Sequence, residues 1–211
     1  MFRSQKWPHV DHAEIVKRAR ILVIDDGDFP YMPLFRKDGY TVEKQNDVKQ
    51  LGALETGEYD VILLDLVGVG GKQSAEQGLG ILQHIRTTNP AQIVVAYSNA
   101  EWSLEYKPFF DQADAVLHKT RADYYEFKRT VDKLLDQRFS CGFYVSRAVS
   151  ELGDRAAQAP KAEKKITDAL RKRDTRRLRS YLESHIDDAV TIDRVVQIVQ
   201  VGIGVAQIWM S

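Results

Sequence analysis

This sequence has only one cysteine, no net charge and few long apolar runs. Its single cysteine, Cys141, excludes a disulfide framework and a cysteine-rich zinc site within the chain. Lysine plus arginine and aspartate plus glutamate number 30 each, so no overall charge favours nucleic acid. Residues 1–10 contain no apolar stretch of the kind that a secretory signal requires. We therefore expect a cytoplasmic protein.

The composition is that of a globular protein, with 44% hydrophobic and 28% charged residues. Five short apolar runs predict strands: Ile21–Ile24, Tyr40–Val42, Val61–Leu64, Ile93–Ala96 and Ala115–Leu117. Several of these runs are continuous rather than alternating. Continuous runs are typical of strands that are buried on both faces of a parallel sheet.

Amphipathic segments separate the predicted strands. Apolar residues repeat at helical spacing over Asp47–Glu55, Leu79–Arg86 and Asp123–Gln137. Strands that alternate with helices predict an α/β fold with a doubly wound five-stranded parallel sheet and right-handed crossovers. We place this domain at residues 19–138, after an N-terminal lead-in at residues 1–18.

The alternation stops near Phe139. Residues 139–160 contain glycine and proline and predict a connector, or a short helix with loops. Residues 161–211 predict a small α-helical region for output or dimerisation. The sequence thus predicts one α/β domain followed by a helical extension.

Polar side chains stand where four of the predicted strands end. They are Asp25 and Asp26 after the first strand, Asp65 after the third, Ser98 after the fourth and Lys119 after the fifth. In open α/β sheets, ligands bind at the carboxyl ends of the strands. We therefore expect three carboxylates, a hydroxyl and an ammonium group to converge on one rim of the sheet.

These residue types predict phosphoryl chemistry. Clustered carboxylates raise one another's pKa unless a cation lies among them, and Mg²⁺ favours carboxylate and phosphate oxygens. Asp65 would then act as a carboxylate nucleophile that forms an acyl phosphate. Lys119 would supply a positive charge for a phosphoryl oxygen, and Ser98 a hydroxyl donor. The rim is therefore predicted to be a Mg²⁺-dependent phosphoacceptor site.

This order of residues resembles the receiver domain of bacterial response regulators over about residues 18–138. The supporting segments are Ile21–Asp26, Gly39–Val42, Tyr59–Leu66 and Gly78–Arg86. The resemblance implies a flavodoxin-like fold that accepts a phosphoryl group from a sensor histidine kinase or a phosphotransfer protein. It also implies that Asp26 contacts Mg²⁺ directly, that Asp25 acts mainly through water, and that the backbone carbonyl of Val67 is a further ligand.

Two segments near the rim depart from the family's pattern. The first helix is short, because only Gly27–Asp38 precede the second strand and this stretch contains Pro30 and Pro33. The loop Val67–Gln77 is long and Gly-rich and lacks the customary proline, so we expect flexibility near the acceptor. These differences affect the surface where a kinase docks and the access to Asp65.

The residues that normally transmit the signal are also altered. Val116 stands where receivers commonly carry Tyr or Phe, and Thr120 follows Lys119 where a proline is usual. An aromatic cluster lies in the region expected for the fourth helix: Trp102, Tyr106, Phe109 and Phe110. Core packing is our interpretation of this cluster, with an exposed partner surface as the alternative. We expect the phosphoryl chemistry to be intact and its conformational readout to differ.

The C-terminal segment 192–210 is apolar almost all round when it is drawn as a helix, so it must be buried. We favour a helix that docks within the chain or forms a homodimer, while a strand stays an alternative. Val195–Met210 is shorter than the roughly 20 residues of a membrane span. The basic residues from Arg171 to Arg179 favour a solvated helix face over nucleic-acid binding. We therefore expect neither a membrane nor nucleic acid as a partner.

Taken together, these patterns predict a response regulator whose output is protein–protein interaction or oligomerisation. We expect a phosphoacceptor and not an enzyme, with slow self-catalysed phosphotransfer and dephosphorylation only. The first alternative is a degenerate receiver that acts as a phosphate-independent interaction module. The second is a DNA-binding regulator that uses the basic helical segment.

Overall fold

The computed structural model describes residue 7, residues 9–99 and residues 110–208. The chain forms two compact units, one from Asp11 to Asp136 and one that begins at Gln137 and also includes Trp7. Of the expected aromatic cluster, Trp102, Tyr106 and Phe109 lie outside the described residues. Phe110 is described and is buried in the core.

The first unit contains a five-stranded parallel sheet. Its strands are β1 (Arg20–Ile24), β2 (Thr41–Gln45), β3 (Val61–Asp65), β4 (Ile93–Ser98) and β5 (Ala115–His118). Their spatial order is β2-β1-β3-β4-β5, and each neighbouring pair is parallel. Every residue of β3 and β4 is buried, as continuous apolar runs require. The predicted doubly wound α/β fold is confirmed.

Helices lie before, between and after these strands. They are α1 (His12–Arg18), α2 (Met32–Lys37), α3 (Leu51–Glu55), α4 (Gly78–Thr88) and α5 (Tyr124–Arg138). Helix α2 has only six residues and carries Pro33 near its start, so it is as short as the sequence indicates. Helix α1 lies within residues 1–18, the segment that the sequence analysis treats as an N-terminal lead-in. Asp11 caps α1 by accepting a hydrogen bond from the Ala13 amide, and Ile15 is buried.

The second unit is helical. Its elements are α6 (Cys141–Leu152), a short 3₁₀ helix (Gly153–Gln158), α7 (Ala162–Lys172), α8 (Arg176–Glu183) and α9 (Ala189–Ile208). Helix α9 packs against α6, α7 and α8. The predicted C-terminal helical region is therefore present, and the strand alternative for its last segment is wrong. Its apolar character reflects packing on several helices at once.

The connector expected at residues 139–160 is mostly the packed helix α6. Ser140 caps this helix by accepting a hydrogen bond from the Phe143 amide at 3.2 Å. Tyr144, Ala148 and Leu152 are buried at spacings of one helical turn. Gly142 lies in the first turn of α6, and the short helix that the sequence analysis gives as an alternative to a connector is present.

Helix α9 is long and apolar enough to cross a membrane by length and composition alone. Its 20 residues include a window with a mean hydropathy of 1.4, and 50% of that window is buried. A core helix of a water-soluble unit has the same composition, so this is weak evidence for a span. The helix begins at Ala189, earlier than the apolar segment suggested.

Two glycines of α9 provide a matched test of its packing. A Cβ at Gly202 would lie 2.6 Å from Cγ of Tyr144 and 2.9 Å from Cδ2 of Leu170. We expect Gly202→Ala to destabilise the second unit by about 1–3 kcal/mol, because the added methyl overpacks this contact. Chemical denaturation followed by circular dichroism measures the change in the free energy of unfolding.

Gly204→Ala is the control for this prediction. A Cβ at Gly204 meets no atom within 4 Å, so the higher helix propensity of alanine should stabilise the unit by up to about 1 kcal/mol. Equal effects of the two substitutions would contradict the close packing of α9 on Tyr144 and Leu170.

Candidate functional site

The carboxyl ends of β1 and β3 bring three carboxylates together. Ligand oxygens of Asp25, Asp26 and Asp65 all lie within 4.8 Å of one another. Asp25 and Asp65 are buried, whereas Asp26 is exposed. The parallel register explains this meeting, since Ile24 of β1 pairs with Leu64 of β3, which directly precedes Asp65. The predicted acidic cluster therefore forms at this rim.

Lys119 joins two of these carboxylates from the end of β5. Its Nζ donates to Oδ2 of Asp65 at 2.6 Å and to Oδ1 of Asp25 at 2.9 Å. Its backbone amide donates to the carbonyl of Ser98 at 3.0 Å, which holds the two strand ends side by side. Burial acts to lower the pKa of Lys119, but the hydrogen bonds to Asp65 and Asp25 outweigh it and raise the pKa. The ammonium group therefore stays charged at neutral pH.

The Asp65 carboxylate has limited contact with solvent. Burial raises its pKa, the bonds from Lys119 and from the backbone amide of Val67 lower it, and the charge of Asp25 raises it again. The net result is a pKa above the ordinary value for aspartate. The Val67 amide donates to Oδ1 of Asp65 at 3.1 Å. Among the described residues, Oδ1 and Oδ2 thus each receive one hydrogen bond.

The remaining site residues of the sequence prediction, Ser98 and Val67, lie at or just beyond the carboxyl ends of β4 and β3. Ser98 ends β4, is buried, and pairs with His118 across the sheet. Val67 is 57% exposed and lies two residues after the end of β3. The structure therefore places all the predicted residues at one rim, as the strand ends require.

A glycine allows the exposed carboxylate to approach the loop after β3. Gly68 has a φ of +88°, and a Cβ there would lie 2.4 Å from Oδ2 of Asp26. Only glycine satisfies both the left-handed backbone and this contact. Mg²⁺ binds carboxylate oxygens and keeps several of its water ligands, so a site in which one carboxylate is open to solvent suits it. The donor set of Asp25, Asp26 and Asp65 therefore fits this ion.

Several hydrogen bonds hold the loop between β3 and α4. The Gly70 amide donates to Oδ1 of Asp47 at 2.6 Å, and Nε2 of Gln73 donates to the carbonyl of Val48 at 3.0 Å. The Gly68 amide donates to Oε1 of Gln77 at 2.7 Å. These bonds connect the loop to its own end and to the segment after β2.

Gly70 in this loop and Gly78 at the start of α4 stand where a side chain would be too close to its neighbours. A Cβ at Gly70 would meet the Ile81 side chain at 2.5 Å, and one at Gly78 would meet the carbonyl oxygen of Asp65 at 2.3 Å. Sequence composition alone does not distinguish a glycine that loosens a loop from one that lets two segments touch.

Sequence reasoning missed two residues that hold Asp25. Tyr97 is buried in β4, and its hydroxyl donates to Oδ2 of Asp25 at 2.8 Å. Lys44 of β2 donates from Nζ to the backbone carbonyl of Asp25 at 2.7 Å. The signal for Tyr97 was in the sequence, because a tyrosine in a strand buried on both faces requires a partner for its hydroxyl.

No family model matches the sequence, and a comparison with curated proteins gave no match. Solved structures do show similarity. A CheY-like response regulator receiver domain from Methanospirillum hungatei is 21% identical, with a TM-score of 0.46 over 57% of this chain and 95% of that one. The response regulator TrrA from Thermotoga maritima, solved with Mg²⁺ and BeF, is 23% identical, with a TM-score of 0.41 over 55% and 98%.

A third similar structure is longer than this chain. NtrX from Brucella abortus, solved with ATP, is 19% identical, with a TM-score of 0.48 over 72% of this chain and 34% of that one. At these identities the similarity concerns the fold only. The strand order and the parallel pairing are those of the flavodoxin-like receiver fold. The predicted resemblance thus holds for the architecture of the first unit.

Proposed function

We propose that this protein is a two-component response regulator whose receiver unit accepts a phosphoryl group on Asp65. The observation that carries the proposal is the position of Lys119, which bonds both Asp65 and Asp25 while Asp26 is open to solvent. A cation and an exposed carboxylate thus flank a buried carboxylate. An anionic phosphoryl group needs positive charge around it, which Lys119 would supply directly and Asp26 would supply by helping to hold a metal cation.

The residues fit Mg²⁺, with Asp26, Asp65 and the backbone carbonyl of Val67 as ligands and Asp25 acting mainly through water. When bound, the ion would neutralise charge on the phosphoryl group. Lys119 carries the remaining positive charge and would hold a phosphoryl oxygen once Asp65 is modified. The Ser98 hydroxyl, at the end of β4, would donate a hydrogen bond to a second phosphoryl oxygen.

The proposed reaction is a transfer between two nucleophiles. An Asp65 carboxylate oxygen forms a bond to phosphorus, while the bond from phosphorus to the imidazole nitrogen of a phosphohistidine breaks. The electron pair of that bond stays on the imidazole nitrogen. The donor would be a sensor histidine kinase or a phosphotransfer protein. The chain would act as a phosphoacceptor and not as an enzyme, and water would slowly hydrolyse the acyl phosphate.

Labelling by a small phosphodonor tests this proposal. Purified protein is incubated with acetyl phosphate and either Mg²⁺ or EDTA, and the intact mass is measured. We expect the mass of one phosphoryl group to be gained with Mg²⁺ and not with EDTA. If neither acetyl phosphate nor a purified phosphohistidine donor labels the protein with Mg²⁺, the phosphoacceptor function is wrong. The alternative of a phosphate-independent interaction module is then favoured.

We propose that the second unit provides output through protein–protein interaction or homodimerisation. Helix α9 packs on α6, α7 and α8, and a partner would cover the exposed side chains of Val190 and Ile208 near its two ends. Light scattering after size exclusion, before and after labelling, measures the oligomeric state. We expect the mass to change towards a dimer on labelling, and an unchanged monomer would exclude homodimerisation as the output.

A further inference from the structure

Tyr97 links the acidic rim to the interior of the first unit. Its side chain is 1% exposed, and its hydroxyl donates to Oδ2 of Asp25, which is itself fully buried. Burial raises the pKa of Tyr97, and so does the adjacent charge of Asp25. The hydroxyl therefore remains protonated and acts as a donor throughout the neutral range.

The hydrogen bonds to Asp25 leave little freedom to its carboxylate. Oδ1 accepts from the Gly27 amide at 2.8 Å and from Nζ of Lys119 at 2.9 Å, and Oδ2 accepts from Tyr97 at 2.8 Å. A carboxylate has about four acceptor positions, two on each oxygen. Among the described residues, three positions are taken and one on Oδ2 is left. Tyr97 is the donor to Oδ2 among these partners, so its hydrogen bond constrains the direction of the remaining position on that oxygen.

The ring of Tyr97 is held by contacts that do not involve the rim carboxylates. Its centroid lies 5.9 Å from that of Phe29 and 5.7 Å from that of Phe127, which it meets nearly edge to face. Nζ of Lys119 lies 5.8 Å from the same ring. Aromatic packing of this kind restricts ring movement, so the hydroxyl is presented to Asp25 from a fixed place.

We propose that Tyr97 is a positioning residue for Mg²⁺ binding, which acts through Asp25 by orienting the acceptor position that faces the ion or its water. This inference rests on the proposed function of the rim. Partners behind a ligand commonly fix its orientation, and their loss typically lowers metal affinity about 10- to 100-fold. Tyr97 would touch neither the metal nor the phosphoryl group.

The test is a Mg²⁺ titration of unphosphorylated protein, followed by amide chemical shifts in ¹H–¹⁵N spectra. We expect Tyr97→Phe to raise the Kd for Mg²⁺ by about tenfold, because the ring is kept and only the donor to Asp25 is lost. In labelling by acetyl phosphate, the Mg²⁺ concentration for half-maximal rate should rise by the same factor. The rate at saturating Mg²⁺ should change less than about twofold, because Asp65 and Lys119 are intact.

Tyr59→Phe is the matched control. Tyr59 is also buried, and its hydroxyl donates to Oε2 of Glu43 at 2.9 Å, away from the rim. This variant should bind Mg²⁺ like the wild type. An unchanged Kd in folded Tyr97→Phe, or an equal loss in Tyr59→Phe, would overturn the proposal and leave Tyr97 as a core residue only.

A second pair of variants keeps the test independent of folding defects. Asp25→Asn is compared with Asp25→Asn combined with Tyr97→Phe, since neither has a buried carboxylate at position 25. If Tyr97 acts through Asp25, the second substitution should have no further effect on the Kd for Mg²⁺. A further loss of about tenfold would contradict action through Asp25.

The titration separates this inference from the proposed function. It uses Mg²⁺ alone and needs no phosphodonor. Absent labelling together with a weakened Kd in Tyr97→Phe would reject phosphoacceptance and retain the positioning role. Normal labelling with an unchanged Kd would reject the positioning role and retain phosphoacceptance.

Discussion

Replacing Asp65 with asparagine is expected to abolish labelling by acetyl phosphate while the protein stays folded. A carboxamide is a poor nucleophile towards phosphorus, so the rate should fall at least about a thousandfold. The substituted side chain would keep an oxygen to accept the Val67 amide and lose the charge that pairs with Lys119. Intact mass measures the labelling, and circular dichroism verifies the fold.

Asp60→Asn is the control at the opposite end of the same strand. Oδ2 of Asp60 accepts a hydrogen bond from the Arg20 amide at 3.0 Å, and an asparagine oxygen there can accept it too. This variant should be labelled at the wild-type rate. Equal labelling of Asp65→Asn and wild type would show that the phosphoryl group is carried elsewhere and would reject Asp65 as the acceptor.

Gly68→Ala is expected to have the second largest effect. Its methyl would lie 2.4 Å from Oδ2 of Asp26, and its φ of +88° is unfavourable for any residue with a Cβ. Because a proposed direct ligand would be displaced, we expect the Kd for Mg²⁺ to rise at least about tenfold. Labelling at subsaturating Mg²⁺ should fall in proportion. The same NMR titration and mass measurement provide both values.

Gly71→Ala is the control within the same loop. A Cβ at Gly71 meets no atom within 4 Å, and its φ is not in the left-handed region, so Mg²⁺ binding should be unchanged. Wild-type affinity in Gly68→Ala would show that Asp26 does not ligate the ion from the position seen in the structure. Equal losses in both variants would indicate that the whole loop has shifted.

Gly68 and Gly78 show what composition alone does not reveal about this segment. The sequence presents glycines at positions 68, 70, 71 and 78, and a cluster of this kind is commonly mobile. In the structure Gly68 faces Asp26, and Gly78 lies against the backbone of Asp65. Those neighbours are distant in sequence or become adjacent only through folding, so no local pattern identifies them.

Helix α6 illustrates the same limit in the second unit. Tyr144, Ala148 and Leu152 repeat at one-turn spacing, but the segment is short and is surrounded by polar and glycine residues. Its stability depends on burial against α9, which lies much further along the chain. Most helical stability in proteins comes from such tertiary packing and not from local propensity.

The sequence by itself determined the architecture of the first unit and which residues lie at the carboxyl ends of its strands. Continuous apolar runs specify buried parallel strands, and parallel strands bring their carboxyl ends together, so Asp25, Asp65 and Lys119 had to meet. Only the tertiary structure decided that both carboxylates share Lys119 and that Tyr97 bonds Asp25. The physical reason is that strand order sets which residues are neighbours, whereas the direction of each hydrogen bond depends on side-chain packing across the sheet.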